Sequence, residues 1–180
     1  MDRFEKDTSA SAAEGSVDQI FAELLDLFVT EIEANQGDNL RSIIQFGSTV
    51  HRPLKRDTDL DLMLVFKEVP AGRGPRLLIT AKAEKAAEPF LARLLEKGFH
   101  LDLSPIIKSV EEFGRFSLLY LDMVEHSRIK VDKDGMAKSI FDKTAEWIKT
   151  SGARRVQKGL YWYWDLNPNC KPGDVFKIGF

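Results

Sequence analysis

One cysteine, Cys170, is all the thiol chemistry in 180 residues. A disulfide framework and a cysteine-built zinc cluster are therefore excluded, and a reducing, cytoplasmic setting fits. No apolar run approaches the roughly 18–20 residues that a membrane span needs. Excess charge of one sign is missing too: 26 Lys and Arg stand against 28 Asp and Glu, a formal net charge of -2. With a pI of about 6.0, bulk binding to nucleic acid or anionic lipid has no electrostatic basis. The three histidines, His51, His100 and His126, show no metal-ligand spacing to one another. The Gly72-Arg73-Gly74 stretch is not a Walker-type loop, because no Gly-Lys-Ser/Thr follows it. The first sixteen residues hold no apolar segment, so no secretory leader is expected, and 1–15 read as a flexible tail. No internal repeat is found.

What remains is an ordinary globular composition, with 43% hydrophobic and 30% charged residues. Val17, Ile20, Phe21, Leu24, Leu27, Phe28 and Ile32 form one face of an amphipathic helix. Ser16 with Gln19 offers a capping box, and Gly37 a stop. Leu40 to Phe46 reads as a strand that runs into the small-residue turn Gly47-Ser48-Thr49, a turn expected to open a short helix. Asp59 to Phe66 reads as a second strand, alternating at first and then continuously apolar. Residues 69–76 read as a loop. Thr80 to Lys97 reads as a helix, with Pro89 expected to kink or split it. Phe99 to Ile107 reads as a third strand. The order implies an α/β (α+β) fold, a small mixed β-sheet with helices packed against it. The core is expected over 16–108. Residues 109–180 are expected to form an extension on it: helices over Leu118–Glu125 and Met136–Lys149, a strand over Arg128–Val131, and a terminal hairpin.

The chemistry concentrates at three places. Asp59 and Asp61 are two apart on a strand and so present carboxylates on one face, about 7 Å apart along the chain. Such a pair repels itself unless a hard, oxygen-seeking cation such as Mg²⁺ lies between. Asp102, in the third strand, can supply a third carboxylate. Three together would hold two ions about 4 Å apart, a device for in-line phosphoryl transfer. Gly47 lets a ligand approach the backbone, and Ser48 adds a hydroxyl and an N–H for an anion. His51, Arg52, Lys55 and Arg56, on the loop between, can neutralise phosphate.

The stretch GSTVHRPLKRDTDLDLMLVF resembles the signature of the DNA polymerase β-type nucleotidyltransferase superfamily: Gly-Ser, a spacer, then Asp-x-Asp entering an apolar strand. The spacer and the modest size are similar to the minimal nucleotidyltransferases of prokaryotes. The resemblance implies metal binding by Asp59, Asp61 and Asp102, with Asp102 also helping to deprotonate the acceptor hydroxyl. It implies nucleotide binding by Gly47 and Ser48; Arg52, from the loop, is expected to join them, and two Mg²⁺ ions are expected with the nucleotide bound. It implies transfer of AMP from ATP, and a partner: a HEPN-domain toxin whose tyrosine is the acceptor, with this chain as its antitoxin. Two other readings stand beside that one. A small-molecule transferase acting on an aminoglycoside or lincosamide would want an acidic cleft, for which Glu111, Glu112, Asp122 and Glu125 are candidates. A non-catalytic module would neutralise a partner by contact alone. A homo-oligomer is left open.

Two further patterns are read structurally. Asp132 and Asp134 are expected in a solvated turn. In Tyr161-Trp162-Tyr163-Trp164 the tyrosines face one way and the tryptophans the other. One pair is expected to complete the core of the extension; the other could form an exposed patch for a partner or a stacked base.

Overall fold

A computed structural model describes residues 15–51, 53–159, 161–171 and 173–180. The expected tail at 1–15, apart from Gly15, and the candidate Arg52 lie outside the described residues.

Helix α1 (Val17–Gln36) starts where Ser16 Oγ accepts the Gln19 N–H at 3.2 Å and stops at Gly37. Gln19 turns its amide to Glu23 instead of back to the cap, so half of the expected box forms. Strand β1 (Leu40–Phe46) has the expected bounds. Strand β2 (Asp57–Phe66) begins two residues earlier than expected. Helix α2 (Arg73–Leu77) occupies the segment expected to be a loop. Gly72 turns the chain into it, and Pro75 sits in its first turn, where a missing N–H costs nothing. Helix α3 (Ala81–Glu96) passes through Pro89 as one element. Pro89 is exposed, and Ala83, Ala87 and Leu94 hold the opposite side of the helix in the core. Leu95, near the end of the helix, is 59% exposed.

Strand β3 (His100–Ser109) tolerates Pro105 because it is an edge strand. Helices α4 (Val110–Gly114) and α5 (Leu119–Met123) follow. Strand β4 (Ser127–Asp132), helix α6 (Met136–Ser151) and the hairpin β5 (Arg154–Lys158) and β6 (Tyr161–Asp165) complete the chain. The main sheet runs β3-β2-β1-β4, with β2 and β3 parallel and the other pairs antiparallel. It is the small mixed sheet that the sequence implied. Strand β4 belongs to the same sheet as β1, so that sheet is built from both sides of residue 108.

Each sheet face has its own core. Leu60, Leu62, Leu64 and Phe66 of β2 pack with Leu101 against Ile20, Leu24, Phe28 and Ile32 of α1 and Ala83, Ala87 and Leu94 of α3. Met63 and Val65, on the other face, pack with Ile44 and Phe46 against Phe113, Tyr120, Met123, Ala137 and Ile140 of α4–α6. Burying one such Leu or Phe contributes about 1.5–3 kcal/mol, so both faces must be covered for the sheet to hold. Asp132 is not in a solvated turn: it caps α6, accepting from Ala137 N and Lys138 N at 3.0 Å each and from Ser42 Oγ at 2.9 Å. Asp134 pairs with Arg41 at 2.7 Å.

Candidate active site

The period of two along β2 builds the site. Asp59, Asp61, Met63 and Val65 share one face. Met63 and Val65 lie under α4–α6, whereas Asp61 is half-buried and Asp59 exposed, beyond the helices' reach. The carboxylates therefore stand where the apolar cover ends. Phe46, the last residue of β1, is in register with Asp61, and the chain turns immediately after it.

That turn is pressed against Asp61. Gly47 has φ 78, and a Cβ added there would lie 2.1 Å from Asp61 Oδ2. Only glycine meets both conditions. Residues Ser48–Val50 form a single 3-10 turn, shorter than the helix expected to open there, because the chain leaves it at once for the polar loop. Buried Gln45 steadies it by donating to Thr49 Oγ1 at 3.2 Å, and Ser48 Oγ lies 3.2 Å from Thr58 Oγ1.

Asp61 is held above the ordinary carboxylate range, first by burial and then by the negative charge of Asp59. Its charged form is thus disfavoured, and a cation against the pair would relieve both causes. The donor set, carboxylate oxygens on a strand end open to solvent, suits Mg²⁺. Asp102 lies opposite Asp59 in the parallel β2–β3 pairing, so the two share a face about 5 Å apart between strands. Its side chain is 67% exposed, with Oδ2 3.9 Å from His100 Nδ1. Among the described residues, no three His, Cys, Asp or Glu side chains are gathered as a metal-ligand set. The structure thus brings Gly47, Asp59 and Asp61 together. It places Asp102 alongside on an exposed edge strand, turned toward His100.

A cleft of about 540 Å³ opens from the turn. Phe46, Gly47, Ser48 and His51 line one side, and Asp122, Met123, His126, Arg155 and Trp162 are among the residues on the other. The sequence singled out Gly47, Ser48 and His51 on the first side and, separately, Asp122 and the Trp162 patch on the second, without joining the two. The hairpin residues lie about a hundred positions downstream, and nothing in local spacing joins them to Gly47. Only their basic–aromatic character was a signal. His51 Nε2 donates to the Glu125 carbonyl at 3.2 Å, and its ring meets that of His126 edge-on at 5.7 Å.

Of the four acids expected to line a cleft for a cationic drug, two are held in ion pairs and one, Asp122, lines the cleft. Glu112 is forked by Arg76 at 2.8 Å on both oxygens, and Glu111 pairs with Arg115. Asp122 accepts from the Trp164 indole at 3.2 Å, and Glu125 is exposed.

No family model matches the chain, and no curated protein matches it. Among solved structures it is similar to a toxin–antitoxin with AMP-PNP, at 14% identity and TM-score 0.45, over 68% of this chain and 86% of that one. It is similar to the toxin–antitoxin MntA-HpeT in mutant form, at 13% identity and TM-score 0.40, over 68% and 85%. It is also similar to spectinomycin adenyltransferase AAD(9) from Enterococcus faecialis with ATP and spectinomycin, at 14% identity and TM-score 0.39, over 71% and 67%. These likenesses are remote, and the site is defined by its own side chains.

Proposed function

We propose that the chain is a Mg²⁺-dependent nucleotidyltransferase that moves AMP from ATP to a hydroxyl acceptor. The observation that carries this reading is the Gly47 backbone pressed on Asp61, with Asp59 on the same face and Asp102 in register beside it. A triphosphate between the Gly47–Ser48 turn and these carboxylates would have backbone and hydroxyl on one side and acid on the other. Like charges meet there, so the arrangement needs divalent cations between them. Asp59 and Asp61 would hold Mg²⁺, with Asp102 completing the set of two ions once nucleotide is bound. When bound, the metal neutralises the phosphates and polarises the phosphorus under attack.

The chain's own residues position the reactants. Gly47 and Ser48 fix the β- and γ-phosphates, which leaves the α-phosphate toward Asp59 and Asp61. The acceptor oxygen forms a bond to the α-phosphorus, and the bond from that phosphorus to the bridging oxygen breaks. Pyrophosphate leaves with that electron pair. The acceptor's proton passes to the Asp102 carboxylate, which is exposed and so can return it to solvent. Catalysis of this kind is mainly positioning and charge neutralisation.

The acceptor side is open. Asp59 and Asp102 are exposed, and β3 is the edge of the sheet. A hydroxyl carried on a bulky partner can reach them, which favours a tyrosine of a HEPN-type toxin, with this chain as antitoxin. The ion pairs of Glu111 and Glu112 leave a small cationic drug fewer of the acids it would need. The test is transfer of α-labelled ATP to a co-expressed partner. The parent should add one AMP per acceptor, and Asp61→Asn should add none. Equal labelling by both would refute the enzyme, and full neutralisation by the inactive variant would favour a contact-only module.

A further inference from the structure

The aromatic run of β6 is not absorbed by the transfer chemistry, yet it reaches the same cleft. Trp162 is 42% exposed and stands in the wall that faces Gly47 and Ser48. It is not loose. The Arg155 guanidinium lies over its ring at 4.0 Å, across the hairpin. Arg155 in turn donates to His126 Nε2 at 3.1 Å, and the neighbouring Trp164 donates to Asp122 at 3.2 Å. Two contacts thus tie the hairpin to the 122–126 segment. Among the described residues Arg155 has no carboxylate partner, unlike Arg76, Arg93 and Arg154.

We propose that Trp162 and Arg155 hold the base of the nucleotide whose phosphates rest on Gly47 and Ser48. This rests on the nucleotidyltransferase reading and adds the wall that reads the nucleoside. An indole half open to a cleft of about 540 Å³ is a stacking platform for any flat aromatic ring, and the cleft has the size of a small-ligand site. The guanidinium stiffens the platform, stacks on base faces itself and carries a charge that suits a phosphorylated ligand. The β5–β6 hairpin, whose strand residues are exposed or half-buried and belong to neither core, therefore supplies half of the substrate site. Because a stack grips every base face, it sets affinity for the nucleoside more than choice among bases.

The test is calorimetric titration of the full chain with Mg²⁺·ATP and, separately, with Mg²⁺·tripolyphosphate, which has phosphates and no base. Trp162→Ala should weaken ATP by about 5- to 150-fold, the range for loss of one base stack. It should leave tripolyphosphate unchanged, and Trp162→Phe should recover most of the ATP affinity. Equal ATP affinity in the parent and a folded Trp162→Ala overturns the proposal and leaves the transferase reading intact. Binding of neither ligand by the parent overturns both. Should the alanine variant fail to fold, an azido-ATP photolabel on the unmodified protein decides. Labelling of the 154–165 hairpin supports the base site, and labelling confined to other segments contradicts it.

Discussion

Two carboxylates in this molecule receive opposite treatment. Glu112, in the first turn of α4 just after β3, sits in a complete set of partners. The Arg76 fork and the Ser109 N–H bring its carboxyl down to about 2. Asp61 is half-buried with a like charge beside it, and its carboxyl is pushed up. Glu112 is finished by the fold: its charge is spent on pinning α2 to α4. Asp61 is left unfinished, an anion that the folded chain disfavours and that, on the proposed reading, a cation completes. Groups of the second kind mark sites where binding, not folding, supplies the missing interaction.

Breaking the contrast at Asp61 should have the largest effect. Asp61→Asn should lower AMP transfer by at least about 100-fold, the scale of losing one group aimed at transition-state charge. The same variant should melt higher than the parent at neutral pH, because it removes a disfavoured charge. A loss of activity through unfolding would show the reverse shift.

Gly47→Ala comes next. A methyl group there meets Asp61 Oδ2 and a left-handed backbone, so the folded state should lose about 1–3 kcal/mol in urea titration, and transfer should fall with it. Addition of Mg²⁺ should then raise the melting temperature of the parent by mass action and leave that of Asp61→Asn nearly unchanged. A melting temperature insensitive to Mg²⁺ and nucleotide in both would remove the reason for calling Asp61 unfinished.

The smallest effect belongs to the finished carboxylate. The Glu112 side chain is 38% exposed, so Glu112→Gln should cost only about 0.5–1 kcal/mol at neutral pH and leave transfer at the parent rate. The pH dependences of the two sites have opposite signs. Glu112 has a depressed folded value, so its contribution is present above the ordinary carboxylate range and disappears as pH falls toward about 2. Asp61 has a raised folded value, so its penalty is absent in acid and grows as pH rises through its titration. The stability gain of Asp61→Asn should therefore shrink on acidification, and the stability loss of Glu112→Gln should shrink as well, each read by melts across the acid range.

The parts legible in the sequence were those written in local periodicity. The alternation of β2 fixed which face Asp59 and Asp61 take, and the glycine after β1 marked the turn against them. The parts that were not legible depend on contacts across long separations. Helix α2 hides in a Gly- and Pro-rich stretch because its stabilising fork is Arg76 to Glu112, thirty-six residues away. Pro89 reads as a break, yet solvent lies on its side of α3 and the packed face carries the helix through. Asp102 reads as the third member of a gathered trio, whereas its exposed side chain leans toward His100. The Trp162 patch was legible as a stacking surface, but its place opposite Gly47 was not, because strand pairing and two side-chain ties, not spacing, carry the hairpin there.

The most direct test of the central claim is a titration of Mn²⁺, standing in for Mg²⁺, followed by electron paramagnetic resonance in the presence of a non-hydrolysable ATP analogue. The parent should take up the ion, and Asp59→Asn and Asp61→Asn should each release most of it. Equal uptake by all three proteins would mean that these two strand carboxylates do not form the cation site, and the account would be wrong at its root.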